Sequence, residues 1–175
     1  MRKIFLLLLT VVLAACNLPR FSSALAPATD TPEYQPCYYN WDTQSLPDLS
    51  AQIQAAIQAA GLTNVTADAE AYGESCYDAQ INKPLSFSAM ETDFRVTARV
   101  QTLTDKDQLG NLLEQILIVL DGFPTEMTPG PQPGYIGVTF QAGSEELQLW
   151  FTFTDGESAR ATGLHSRALL EDLQK

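Results

Sequence analysis

Two hydrophobic periods alternate along this chain, and their order constrains the fold more than any other feature. Leu49, Ile53, Ala56, Ile57 and Ala60 recur at helical spacing. Ser45 is the expected helix cap, Asp48 falls in the first turn and Gly61 is a natural stop. The opposite face, with Gln52, Gln54 and Gln58, reads as solvated. The period then drops to two. Val65, Ala67, Ala69 and Ala71 point one way, while Asn64, Thr66, Asp68, Glu70 and Tyr72 point the other. Gly73 to Ser86, with Pro84, reads as a connection. A second strand is expected from about Phe87 to Leu103, with Phe94, Val96, Ala98 and Val100 inward and Arg95, Thr97, Arg99 and Gln101 outward.

The same order then repeats. Thr104 or Asp105 caps a helix whose wide apolar face is Leu109, Leu112, Leu113, Ile116, Leu117 and Leu120. A long Pro/Gly loop, Phe123 to Gly134, follows. Tyr135 to Ala142 and Glu146 to Thr154 are the next strands, the latter with Trp150 outward. Asp155-Gly156 reads as a turn, Ser158 to Thr162 as a short edge strand or a helix start, and Leu164 to Leu173 as a closing helix. A weak αββ-αββ repeat plus a C-terminal helix predicts an α+β fold. Its sheet is expected to be antiparallel, four-stranded or five-stranded, with helices on one face and the other face polar.

Arg2 and Lys3 precede an apolar run from Ile4 to Leu13, followed by Ala14, Ala15 and Cys16. This is the order of an export signal, and the run is shorter than the about 20 residues a spanning helix needs. Leu13-Ala14-Ala15-Cys16 resembles the lipobox of bacterial lipoproteins. The resemblance covers residues 1–16 and no family is identified for the rest. It implies a diacylglyceryl group on the Cys16 thiol, cleavage before Cys16, and further acylation with chains such as palmitate. It implies an address as well: bacterial cell membrane or envelope, lipid-anchored, facing away from the cytoplasm. Residues 1–15 are then a signal peptide. Residues 16–36, broken by Pro19, Pro27, Pro32 and Pro36, read as a flexible tether, and 37–175 as one domain.

Removal of residues 1–15 leaves 160 residues with 8 basic and 21 acidic groups, a formal charge of −13. Such a surface repels nucleic acid and anionic headgroups. With Cys16 lipidated, Cys37 and Cys76 remain as a pair, expected to form a disulfide worth about 3 kcal/mol. One histidine, His165, leaves too few ligands for a zinc site, and no metal or cofactor is expected. Tyr34, Tyr38, Tyr39 and Trp41 cluster around Cys37 and are expected to cover an edge of the domain, with Trp150 a candidate for burial beneath them.

No nucleophile elbow, phosphate loop or dinucleotide motif occurs. Asp68 and Glu70 are expected near Arg95 and Arg99 as cross-strand ion pairs. Arg95, Arg99 and Trp150 together mark a candidate ligand face. The reading that follows is a non-catalytic binding or interaction module meeting a protein, peptide or glycan. Its alternatives are an envelope assembly or structural lipoprotein, and a small hydrolase using carboxylates such as Glu70 and Glu74.

Overall fold

Five strands lie side by side in chain order: β1 (Cys37–Ser45), β2 (Val65–Asp78), β3 (Pro84–Arg99), β4 (Gln132–Ala142) and β5 (Glu145–Thr152). The structure is a computed structural model that describes residues 36–175. The expected signal peptide, Cys16 and all of the expected tether except Pro36 lie outside the described residues. Four helices complete the fold: α1 (Pro47–Ala59), α2 (Lys106–Leu120), α3 (Phe153–Ala161) and α4 (Ser166–Leu173).

The sheet is mixed, which corrects the antiparallel expectation. β1/β2, β2/β3 and β4/β5 are antiparallel, but β3 and β4 are parallel. The reason lies in the element order. A helix between two neighbouring strands carries the chain back to the end where the first strand began. At 15 residues, α2 returns the chain by about 22 Å at 1.5 Å per residue. The αββ repeat therefore forces one parallel pair at its junction.

The helices bury their apolar stripes on one face of the sheet. Ile53 and Ile57 of α1, Leu109, Leu113 and Ile116 of α2, and Leu169 and Leu170 of α4 are fully buried. They meet Phe94, Val96 and Ala98 of β3 and Ile136, Val138 and Phe140 of β4. Asp105 caps α2 as expected, its Oδ1 accepting from the Gln108 amide at 3.0 Å.

Several local expectations are corrected. Gly73 to Ser86 is no loop: β2 and β3 run through it and turn over residues 79–83. Asp155-Gly156 lies inside α3, whose capping box pairs Thr152 with Asp155; of the two readings of Ser158 to Thr162 the helical one is seen, over residues 158–161. Leu46, not Ser45, is the α1 cap residue. Gln54 is not merely solvated. Its Oε1 accepts from the Ala67 amide at 2.9 Å and its Nε2 donates to the Val65 carbonyl at 3.2 Å. Ser50 Oγ likewise accepts from the Ala69 amide at 2.9 Å. These side chains close the stretch of β2 that β1 does not reach, since the β1 ladder ends at Ser45 opposite Glu70.

The aromatic cluster after Cys37 is itself a strand, β1, and with β2 and β3 it projects beyond the rest of the sheet. The β3/β4 ladder begins at Glu91, so Pro84 to Met90 has no β4 beside it. This three-stranded arm extends about 23 Å at about 3.3 Å per residue. Cross-strand contacts hold it in place of a helix layer. Tyr38 stacks on Tyr77 at 5.6 Å and Trp41 on Tyr72 at 5.2 Å. Asp42 Oδ2 accepts from Ser75 Oγ at 2.9 Å and from the Tyr77 hydroxyl at 2.8 Å. Those bonds, Tyr77 first, hold the Asp42 carboxyl below its usual range. Cys37 and Cys76 form the expected disulfide, with Cα atoms 5.5 Å apart.

Candidate functional site

The helix-free face of the sheet carries the exposed chemistry. Its central row is read from the register: Asp68 on β2 faces Arg95 on β3, Arg95 faces Gly137 on β4, and Gly137 faces Trp150 on β5. Gly137 has no side chain, so the Trp150 indole lies across β4. A Cβ at Gly137 would stand 2.3 Å from Trp150 Cζ3. The ring thereby reaches Arg95, whose guanidinium carbon lies 5.3 Å from its centroid. Tyr135, two residues before Gly137 on the same face, stacks on Trp150 at 5.7 Å with an interplanar angle of 9°.

Arg95 is engaged twice. It stacks on Trp150 and it forms an ion pair with Glu70. Asp93, next on β3, is a buried carboxylate at the irregularity between Thr92 and Phe94. Its Oδ1 accepts from the Tyr135 amide at 2.8 Å and so fixes the start of the ring-bearing segment. Burial pushes the Asp93 carboxyl above its usual range. The Tyr135 amide opposes this, the charge of Glu70 adds to it and Arg95 offsets it. Burial also raises Glu91, with the charge of Asp93 contributing.

The result is an open depression of about 420 Å³ bordered by Asp68, Arg95, Thr97, Thr139, Gln148 and Trp150. It offers one flat aromatic surface, half of which is in solvent, ringed by hydroxyl, amide and carboxylate groups. Stacking on a planar or C–H-rich face, with hydrogen bonds at its rim, is what this arrangement can do.

The structure brings Arg95 and Trp150 together and leaves Arg99 apart. Arg99 stands four residues along β3, about 13 Å away by strand rise, beside Asn64 and Gln101. Glu70, not Asp68, takes Arg95. The tyrosines of β1 do not cover Trp150, because β1 and β5 are the two opposite edges of the sheet. Tyr135 and Gly137 were not singled out from the sequence. The signal was a lone glycine at an outward position of an otherwise regular strand.

Elsewhere the candidate catalytic groups are dispersed. Glu70 and Glu74 share a face about 13 Å apart by strand rise, beyond the about 5–9.5 Å separation of paired glycosidase carboxylates. His165 Nδ1 lies 2.8 Å from Glu114 Oε1, and the neighbouring Ser166 hydroxyl donates to the Asp107 carbonyl at 3.1 Å. Among the described residues no three His, Cys, Asp or Glu side chains gather as metal ligands, and no helix is long and apolar enough to cross a membrane. No protein-family model matches the chain, and comparison with curated proteins and with solved structures found no match either.

Proposed function

We propose that this chain is a lipid-anchored module of the bacterial envelope. In this reading it is held at Cys16, faces away from the cytoplasm, and binds its ligand without catalysis on the helix-free face of the sheet. The observation that carries the binding reading is the indole of Trp150. It lies over Gly137, is backed by Arg95 and Tyr135, and remains 50% exposed. A large ring held by three neighbours yet left open to solvent is poorly explained by stability alone, since burial is where an aromatic contributes most. Arg95 is already satisfied by Glu70, so the face suits a neutral ligand with a flat apolar side and a hydrogen-bonding rim. Pyranose glycans and aromatic peptide side chains both have that chemistry.

Support for the anchor comes from the charge, core length and tetrapeptide of residues 1–16 taken jointly. Two or more acyl chains give stable attachment where one is marginal. Glycan and peptide arrays probed with the parent protein and with Trp150→Ala test the binding face. The parent is expected to select one ligand class and the variant to lose it; a ligand retained by Trp150→Ala moves the site elsewhere. For the anchor, Cys16→Ser is expected to shift the protein from the detergent phase to the aqueous phase on phase separation. Unchanged partitioning of that variant removes the anchor.

A further inference from the structure

Nine large apolar or aromatic side chains are exposed among the described residues, and four of them crowd the outer end of the three-stranded arm: Tyr38, Tyr39, Ile81 and Leu85. The turn that presents Ile81 is tightly built. The Asp78 amide donates to the Lys83 carbonyl at 2.9 Å and the Asn82 amide to the Asp78 carbonyl at 3.0 Å. Asp78 Oδ1 accepts from the amides of Gln80 at 2.7 Å and Ile81 at 3.2 Å. None of these bonds uses the Ile81 side chain, which is 66% exposed at the tip of an ordered turn. An isolated surface apolar residue is ordinary, but a cluster on a projecting, fixed tip marks a contact surface.

Two further observations say what that surface meets. The first is where the chain enters the fold. Cys37 lies opposite Asp78 and the Tyr38 hydroxyl donates to Asn82 Oδ1, so the segment preceding Pro36 joins the fold at this end of the sheet. The second is charge. Of the seven lysines and arginines among the described residues, five are in ion pairs and only Lys83 and Arg99 are not. Lys83 stands on the tip, where the one nearby carboxylate of the turn, Asp78, is spent on backbone amides. The far end of the sheet, at the turn after Ala142, carries Glu145 and Glu146 instead.

We infer that the arm tip, Ile81 and Leu85 with Tyr38, Tyr39 and Lys83, seats in the phospholipid headgroup layer of the membrane that holds the anchor. This rests on the lipidation at Cys16 proposed above. Ile81 and Leu85 enter the boundary between headgroups and acyl chains. Tyrosines suit that boundary because the ring is apolar and the hydroxyl is polar. Lys83 lays its methylenes along the apolar side and brings its ammonium to a lipid phosphate. Acyl chains on Cys16 supply the affinity, and the tip sets the orientation, with the helix-free face rising from the membrane plane.

The test uses the full-length lipidated protein in phosphatidylcholine vesicles, with an environment-sensitive thiol dye at Ile81→Cys or, as a control at the opposite end, at Ser144→Cys. Mass spectrometry of the N-terminal peptide reports the lipid on Cys16 separately. Ile81→Trp and Ser144→Trp, each read as the difference from the parent with its own Trp41 and Trp150, give the same comparison against lipids carrying a quencher without a new thiol. The expected result is a blue shift and loss of emission to lipid-borne quencher at position 81, with neither at 144. Lipid present on Cys16 with position 81 as water-exposed as 144 overturns the tip contact and leaves the anchor standing. Absence of lipid on Cys16 overturns the anchor and the tip contact together.

Discussion

Gly137 and Asp93 are the two residues on which the proposed ligand face depends, and neither needs to touch a ligand. Gly137 is required because the Trp150 ring occupies the space a side chain would take. Gly137→Ala is expected to expel the indole from Arg95, change its emission, and cost about 1–3 kcal/mol of stability in a denaturant midpoint, as overpacking does. A variant with the parent's midpoint and emission refutes that packing. Asp93 is held above the usual carboxylate range chiefly by burial, so the folded protein binds its proton more tightly than the unfolded chain does. Its ionisation therefore lowers stability as pH rises from the ordinary aspartate value through the raised one. Asp93→Asn keeps an acceptor for the Tyr135 amide and removes the charge. Midpoints measured across that window are expected to fall less steeply with pH in Asp93→Asn than in the parent; equal slopes count against the assignment.

β1 shows how an element can be stable and still be hard to see in a sequence. No residue of β1 is buried, so neither of its faces carries the alternation by which a half-buried strand is recognised. What holds it, two ring stacks, the Asp42 bonds and the disulfide, is cross-strand and becomes visible only once the register is known. Replacing both Cys37 and Cys76 by Ala is expected to cost about 2–4 kcal/mol. Amides of residues 38–45 are expected to lose hydrogen-exchange protection while those of β4 keep it; uniform loss argues against a separately fraying strand. By contrast α1, α2 and the first half of β2 were legible, since Ile53, Ile57, Leu113, Ala67 and Ala69 keep their periods against one core. Gly73 and Pro84 misled in the opposite direction. Gly73 sits where a Cβ would stand 2.1 Å from the Ser88 carbonyl, and Pro84 opens its strand, the position a proline tolerates. The cover that α1 gives to β2 is also testable. Gln54→Ala leaves the Ala67 amide without its partner and is expected to cost about 1–3 kcal/mol in thermal or denaturant unfolding. A cost near zero means water replaces the glutamine.

Across the molecule the dominant fact is charge, −13 over the residues from Cys16 onward, and it predicts a salt response. Thermal midpoints are expected to rise toward about 1 M salt, where the screening length falls to about 3 Å; a fall means that ion pairs, five of them among the described residues, outweigh self-repulsion. The αββ order was readable at this scale, and the parallel junction between β3 and β4 was implicit in it. The proposed ligand face was only half readable: Arg95 and Trp150 were in view, but their meeting depends on three strands in register and one missing side chain. The disulfide has one more consequence at this scale, a mechanical one. Cys37 is the first residue of β1, so tension arriving through the chain before it reaches a covalent bond to β2 before it reaches any hydrogen bond of the β1 ladder. A pull from that side cannot peel β1 away like a zipper; the load passes into β2, which is paired on both sides.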